Sequence, residues 1–218
     1  NKETSKSDLR VEQRYQNSSD SLLSIVLKSG LIPIQIAIIL HGILRDGITT
    51  WMPAYISEIF GVSTSMSILT TAILPLFSVF SYQIASVVLL KMKNELKVSF
   101  LFFGISTLSC LILLPVYASS PVISVSMMTL ITGCMPGINL MLISRVPRHF
   151  TRFGRVASVS GLLNASTYIG SALSTYAFAA ISDTFGWLST IAVWCIIAAA
   201  GTILCVFLIR KWQVFLNN

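Results

Sequence analysis

Residues 31 to 58 read LIPIQIAIILHGILRDGITTWMPAYISE, and this stretch decides the fold class. It exceeds the roughly 20 mostly apolar residues that an α-helix needs to cross a bilayer. Only Arg45 and Asp46 interrupt its apolar character, and they lie close to the midpoint between the flanking charges of Lys28 and Glu58. The stretch therefore predicts a transmembrane helix with a charged pair near the centre of the membrane.

The rest of the chain has the same apolar character. Of its 218 residues, 54% are hydrophobic and 11% are charged, and the mean hydropathy is +0.80. Soluble domains have roughly 25% charged residues, so this composition excludes a soluble globular domain and a disordered chain. The four cysteines lie in apolar runs without the spacing of metal ligands, and we expect neither a metal nor a cofactor.

Stretches without charged residues place the remaining helices. The stretch 98–144 is long enough for two helices, and Pro115 and Pro121, with two serines between them, mark a turn. We predict an all-α membrane protein whose six transmembrane helices form one domain over 29–211. The predicted helices cover about 31–57, 66–90, 98–115, 121–143, 156–182 and 187–209.

The distribution of basic residues predicts the topology. Fourteen of the 15 Lys and Arg residues lie before the first predicted helix, between the second and third, between the fourth and fifth, or after the sixth. These segments share one side of a six-helix protein, and the positive-inside rule makes it the cytoplasmic side. We therefore predict a multi-pass protein of the cell membrane, with a polar, flexible cytoplasmic linker at 1–28 and a cytoplasmic tail at 212–218. The net charge of +7 reflects this topology and gives no reason to expect nucleic-acid binding.

A polar stripe in the first predicted helix is the candidate binding site. His41, Arg45 and Thr49 share one face, and Asp46 lies about 100° around the helix from Arg45. Ionised side chains inside a membrane mark functional sites by default, and a guanidinium matches phosphate or carboxylate. The stripe predicts an anion site; the alternative is that Arg45 pairs with Asp46 and only stabilises the helix bundle.

The fifth predicted helix adds a second polar face. Asn164, Tyr168 and Ser171 share one side of it, and an asparagine facing lipid would be costly, so this face is predicted to meet protein or a cavity. Two rows of small residues predict close packing of this helix: Ala157, Gly161 and Ala165, and Ser166, Gly170 and Ser174. The predicted substrate-binding residues are His41, Arg45, Asp46, Thr49, Asn164 and Tyr168.

The run RDGITTWMPAYISE, from Arg45 to Glu58, resembles a known family. It is similar to the start of the second half of the glycerol-3-phosphate and hexose-phosphate transporters, the organophosphate:phosphate antiporters of the major facilitator superfamily. Arg, Gly, Trp, Pro, Tyr and an acid stand at the same offsets, and the likeness covers about residues 31–209. Further likeness lies at Gly161, Tyr168, Gly170 and the run DTFGW from Asp183 to Trp187. Asp46 departs from the family, whose better-known members have an aromatic residue there.

The resemblance implies the C-terminal half of a twelve-helix bundle. It implies alternating access between this half and a missing N-terminal six-helix half, with the linker as the central loop. Arg45 falls on the arginine that binds substrate phosphate, and Tyr168 on a tyrosine that faces the central cavity. The expected function is secondary transport of a small organic phosphate or another anion, by exchange with phosphate.

Other functions remain open from the sequence. One is a proton-coupled carrier of another small solute that uses Asp46 and His41, and a second is a transporter-like membrane sensor that binds ligand without moving it. An intramembrane protease would need a pair such as Ser106 and His41, but isolated residues of these types are common. Metalloprotease, phosphate-loop and dinucleotide motifs do not occur in the sequence, and we expect no enzyme.

Overall fold

A computed structural model describes residues 30–72 and 74–217 of the chain. The described residues form helices joined by short turns, with no strand among them, and the predicted linker at 1–28 lies outside them. The helices are α1 (Leu31–Phe60), α2 (Thr64–Thr71), α3 (Leu74–Met92), α4 (Glu95–Val116) and α5 (Pro121–Asn139), followed by the helical run Val156–Asn217. The all-α prediction is therefore confirmed.

The last helical run contains two helices. Gly186 has φ 76° and ψ 175°, outside the helical region, in a conformation that only glycine adopts readily. We name the helix at 156–185 α6 and the helix at 187–217 α7. This break lies where the sequence predicts the turn between the fifth and sixth helices.

Four helical segments are long and apolar enough to cross a membrane: Leu31–Phe60, Glu95–Val116, Pro121–Phe153 and Val156–Leu216. The segment Phe77–Met92 in α3 is also apolar but shorter. Since α6 and α7 divide the fourth segment at Gly186, each is about as long as α1. The membrane character predicted from composition is thus carried by several separate helices.

Three helix boundaries differ from the prediction. The second predicted helix is divided into α2 and α3, because Pro75 lacks a backbone N–H and favours the first turn of a new helix. The basic segment after α5, predicted as a loop, forms a π-helical turn at Leu140–Arg145 and a 3₁₀ helix at Val146–Phe153. Finally, α7 continues to Asn217, through most of the segment predicted as a tail, because its last turns pack against α4.

Hydrogen bonds join three basic segments at one end of the bundle. Glu95, at the start of α4, accepts a hydrogen bond from Trp212 Nε1 of α7 at 2.9 Å, and its other oxygen lies 2.7 Å from His149 Nε2. Beside it, Asn94 Nδ2 donates to Gln213 Oε1 at 2.9 Å. These segments share one end, as their charges predict, and His149 is one of the connecting residues although the sequence suggested no role for it.

A second set of contacts joins α1, α5 and α7 at the opposite end of the bundle. Trp187 Nε1, at the start of α7, donates to Glu58 Oε2 of α1 at 2.7 Å. The Tyr55 hydroxyl contacts the carbonyl oxygen of Tyr117 and lies 3.0 Å from the Ser124 hydroxyl. Since α1 ends here, α5 and α7 begin here and α4 begins at the other end, α1 and α4 run in one direction and α5 and α7 run in the opposite direction.

The closest contact between α1 and α6 depends on two glycines. A Cβ at Gly170 would overlap the carbonyl oxygen of Ile39, and one at Gly42 would overlap that of Thr167. Ser166, Gly170 and Ser174 are buried, which confirms the packing predicted for this row. The packing predicted for the other row is not found, because Ala157, Gly161 and Ala165 are exposed and a Cβ at Gly161 would meet no atom within 4 Å.

We predict that Gly170→Ala separates α1 from α6 and lowers stability by about 1–3 kcal/mol, the usual cost of overpacking. Gly161→Ala is the matched control, and it should be neutral or stabilising by up to about 1 kcal/mol because alanine favours the helix. Thermal unfolding of both variants in detergent measures the difference. Equal midpoints for the two variants would show that the contact at Gly170 is not tight.

We also predict that Trp212→Phe destabilises the protein more than Trp194→Phe. Both indoles are buried, but Trp212 donates to the Glu95 carboxylate, whereas Trp194 Nε1 has no partner among the described residues. A hydrogen bond to a charged group contributes about 1.5–3 kcal/mol. Thermal unfolding of the two variants, which lose similar volume, isolates the hydrogen bond, and a larger loss in Trp194→Phe would contradict the prediction.

Candidate functional site

Arg45 and Asp46 occupy the middle of α1. This helix has 30 residues and is about 45 Å long, so the charged pair lies roughly 20 Å from either end. Hydrocarbon at that depth does not solvate charge, and such groups need an internal partner or contact with water. The structure supplies a partner and leaves part of each side chain exposed.

The partner of Arg45 is its own neighbour in the sequence. Arg45 Nε donates to Asp46 Oδ1 at 2.6 Å, and Arg45 Nη2 donates to Asp46 Oδ2 at 2.8 Å. The side chains remain 30% and 32% exposed. The ion pair that the sequence left as the alternative to an anion site is therefore present, and the pair is incompletely buried.

The ion pair does not use all the donors of Arg45. A guanidinium has five N–H groups, and Asp46 accepts from two of them. No other described residue accepts a hydrogen bond from Arg45, so both N–H groups on Nη1 and one on Nη2 are free. This edge of the guanidinium can bind a carboxylate or phosphate through two parallel hydrogen bonds while Asp46 stays in place.

Helix α6 completes the surroundings of the pair. The close crossing at Gly42 and Gly170 brings the next residue, Ser171, to Asp46, and its hydroxyl donates to Asp46 Oδ2. Tyr168 of α6 and Tyr82 of α3 also lie in the neighbourhood of Arg45. Tyr82 was not predicted, since a tyrosine in an apolar helix has no pattern that separates a site from packing.

His41 lies outside this exposed group. It is fully buried, and its Nε2 donates to the carbonyl oxygen of Met135 in α5 at 3.0 Å. His41 thus connects α1 to α5, and its Nδ1 has no partner among the described residues.

The other predicted residues, Thr49, Asn164 and Tyr168, are exposed. The Thr49 hydroxyl donates to the carbonyl oxygen of Arg45 at 2.7 Å, while Asn164 lies on α6 two turns before Ser171. Tyr168 is 62% exposed. We call the exposed group on α1 and α6 the polar face; it consists of Arg45, Asp46, Thr49, Asn164, Tyr168 and Ser171.

The neighbouring side of α6 has the opposite character. Ile169 and Leu173 are each more than half exposed and form an apolar surface that suits lipid. The polar face does not suit lipid, because a partly exposed ion pair and the Asn164 amide, which has no partner among the described residues, are costly in hydrocarbon. In a membrane, the polar face must therefore contact water or another polypeptide.

Comparison with known proteins adds no identification. No protein-family model matches the chain, and no curated protein sequence is significantly similar to it.

We predict that the polar face contacts water in the membrane. Thr49→Cys and Asn164→Cys should react with a charged maleimide, because the reactive thiolate forms only where water reaches the thiol. Ile169→Cys and Leu173→Cys, on the apolar side of α6, should stay unlabelled. The four native cysteines are buried, so the unmodified protein gives the background. Equal labelling of both pairs would contradict a water-filled cavity.

Proposed function

We propose that this chain is one half of a secondary transporter of the major facilitator type, which carries a small anion across the cell membrane. The observation that supports this most directly is the partly exposed Arg45 at the middle of α1, which has three N–H groups without an acceptor among the described residues. A guanidinium held this way binds phosphate or carboxylate in a directed fashion. The preferred substrate is a small organic phosphate, which exchanges with phosphate.

The uncovered polar face supports a carrier with two halves. Lipid cannot cover this face, but a second helix bundle could cover it and enclose a cavity at the depth of Arg45. The partner that we propose is an N-terminal six-helix half, as the resemblance to the organophosphate antiporters implies. The two opposite directions of the helices fit such a bundle.

The proposed mechanism is alternating access. The two halves rock about the central site, so that Arg45 faces each side of the membrane in turn. Arg45 would share the anion with a basic residue of the other half. The bound anion would screen the repulsion between these two cations and so favour closure, which makes exchange faster than return of an empty carrier.

Counterflow tests the proposal. The full-length protein in liposomes loaded with unlabelled phosphate should take up labelled phosphate, and Arg45→Lys should reduce the apparent affinity about 10- to 100-fold. The reason is that lysine keeps the charge and loses the two parallel hydrogen bonds, worth about 1.5–3 kcal/mol. Uptake at a series of phosphate concentrations gives the affinity.

Arg210→Lys is the matched control for this experiment. It makes the same chemical change at an exposed position near the end of α7, far from the polar face, and should leave counterflow unchanged. Absence of counterflow in folded protein would remove phosphate as a substrate. Equal counterflow in Arg45→Lys and the native protein would remove Arg45 from the site.

A further inference from the structure

The charge of Asp46 opposes the binding of an anion at Arg45. The two side chains form a pair with no net charge, and Asp46 occupies two of the N–H groups of Arg45. A phosphate on the free edge of the guanidinium would lie within a few ångströms of the Asp46 carboxylate. Like charges this close disfavour each other, and uptake of a proton by the carboxylate relieves the repulsion.

The surroundings of Asp46 can satisfy either protonation state. The Ser171 hydroxyl donates to the ionised carboxylate, and it also lies 3.2 Å from the carbonyl oxygen of Thr167. When Asp46 is protonated, its O–H can donate to Ser171 Oγ while the hydroxyl hydrogen of Ser171 turns to Thr167. Both states then keep their hydrogen bonds, because a hydroxyl is donor and acceptor.

Protonation of Asp46 would also release part of Arg45. The oxygen that contacts Ser171 is Oδ2, which accepts from Arg45 Nη2 at 2.8 Å. A proton on this oxygen weakens that charge-assisted bond and makes a fourth N–H available to the anion. The anion and the proton therefore favour each other at this site.

The other titratable groups around Asp46 are less suited to take the proton. On α1, His41 is fully buried and held by Met135, whereas Asp46 is about one-third exposed. The nearby side chains of Tyr168 in α6 and Tyr82 in α3 are not carboxylates. Among the described residues, α5 places no charged side chain at this depth.

We propose that Asp46 is a proton-binding site and that its carboxylate takes up one proton from solution with each anion bound at Arg45. This inference rests on the proposed function and names the coupling ion. Exchange of two anions remains possible, because each carries the proton across. Net uptake of an anion is then proton–anion cotransport, driven by an inward proton gradient.

Calorimetry with the full-length protein in detergent counts these protons. Inorganic phosphate is titrated at pH 5.5, nearer the usual range of a carboxyl group, in two buffers of different ionisation enthalpy, and the difference between the heats gives the protons taken up. We expect the native protein to take up more protons per phosphate than Asp46→Asn. Asp46→Glu, which keeps a carboxyl group, should restore the native count. The titration of phosphate itself cancels in this comparison.

Three results would overturn the inference, and they separate it from the proposed function. Equal proton counts in the native protein and Asp46→Asn, with phosphate binding that Arg45→Lys weakens, would reject Asp46 and keep the anion site. Should Asp46→Asn fail to fold, sulfate, which does not titrate in this pH range, replaces phosphate, and proton uptake near zero in the native protein would then reject Asp46. Absence of phosphate binding, or binding that Arg45→Lys leaves unchanged, would reject both proposals.

Discussion

The close contact between α1 and α6 is the constraint on which the candidate site depends. Backbone touches backbone where Gly42 meets Thr167 and where Gly170 meets Ile39, so neither helix can move away without losing the contact. One residue beyond Gly170, Ser171 reaches Asp46, and Asp46 in turn holds Arg45. The close crossing at these two glycines thus brings a hydroxyl group to the charged pair in the middle of α1.

Much of the fold follows from the sequence because lipid imposes a simple rule. A helix that crosses a membrane must be mostly apolar over its length, so apolar stretches mark α1, α4, α5 and α6 to within a few residues, whereas α7 continues well beyond its predicted end. The break at Gly186 was also predicted, from the charge of Asp183 before it. The division between α2 and α3 was missed because Pro75 lies in an otherwise uninterrupted apolar stretch.

The candidate site was only partly predictable, and His41 and Thr49 show why. Helical spacing places both residues on the same face of α1 as Arg45. The spacing does not reveal which other helix packs against each part of that face. His41 is buried against α5, while Thr49 is exposed and bonded to its own helix. Contacts between distant segments, such as that of His149 with Glu95, leave no periodic signal in a single sequence.

The two tryptophans of α7 have a consequence for motion. Trp187 is hydrogen-bonded to the last turns of α1 and Trp212 to the first residue of α4, at opposite ends of the bundle. Helix α7 is therefore attached to α1 at one end of the bundle and to α4 at the other end. In the alternating access that we propose, these two contacts favour movement of the bundle as a single body.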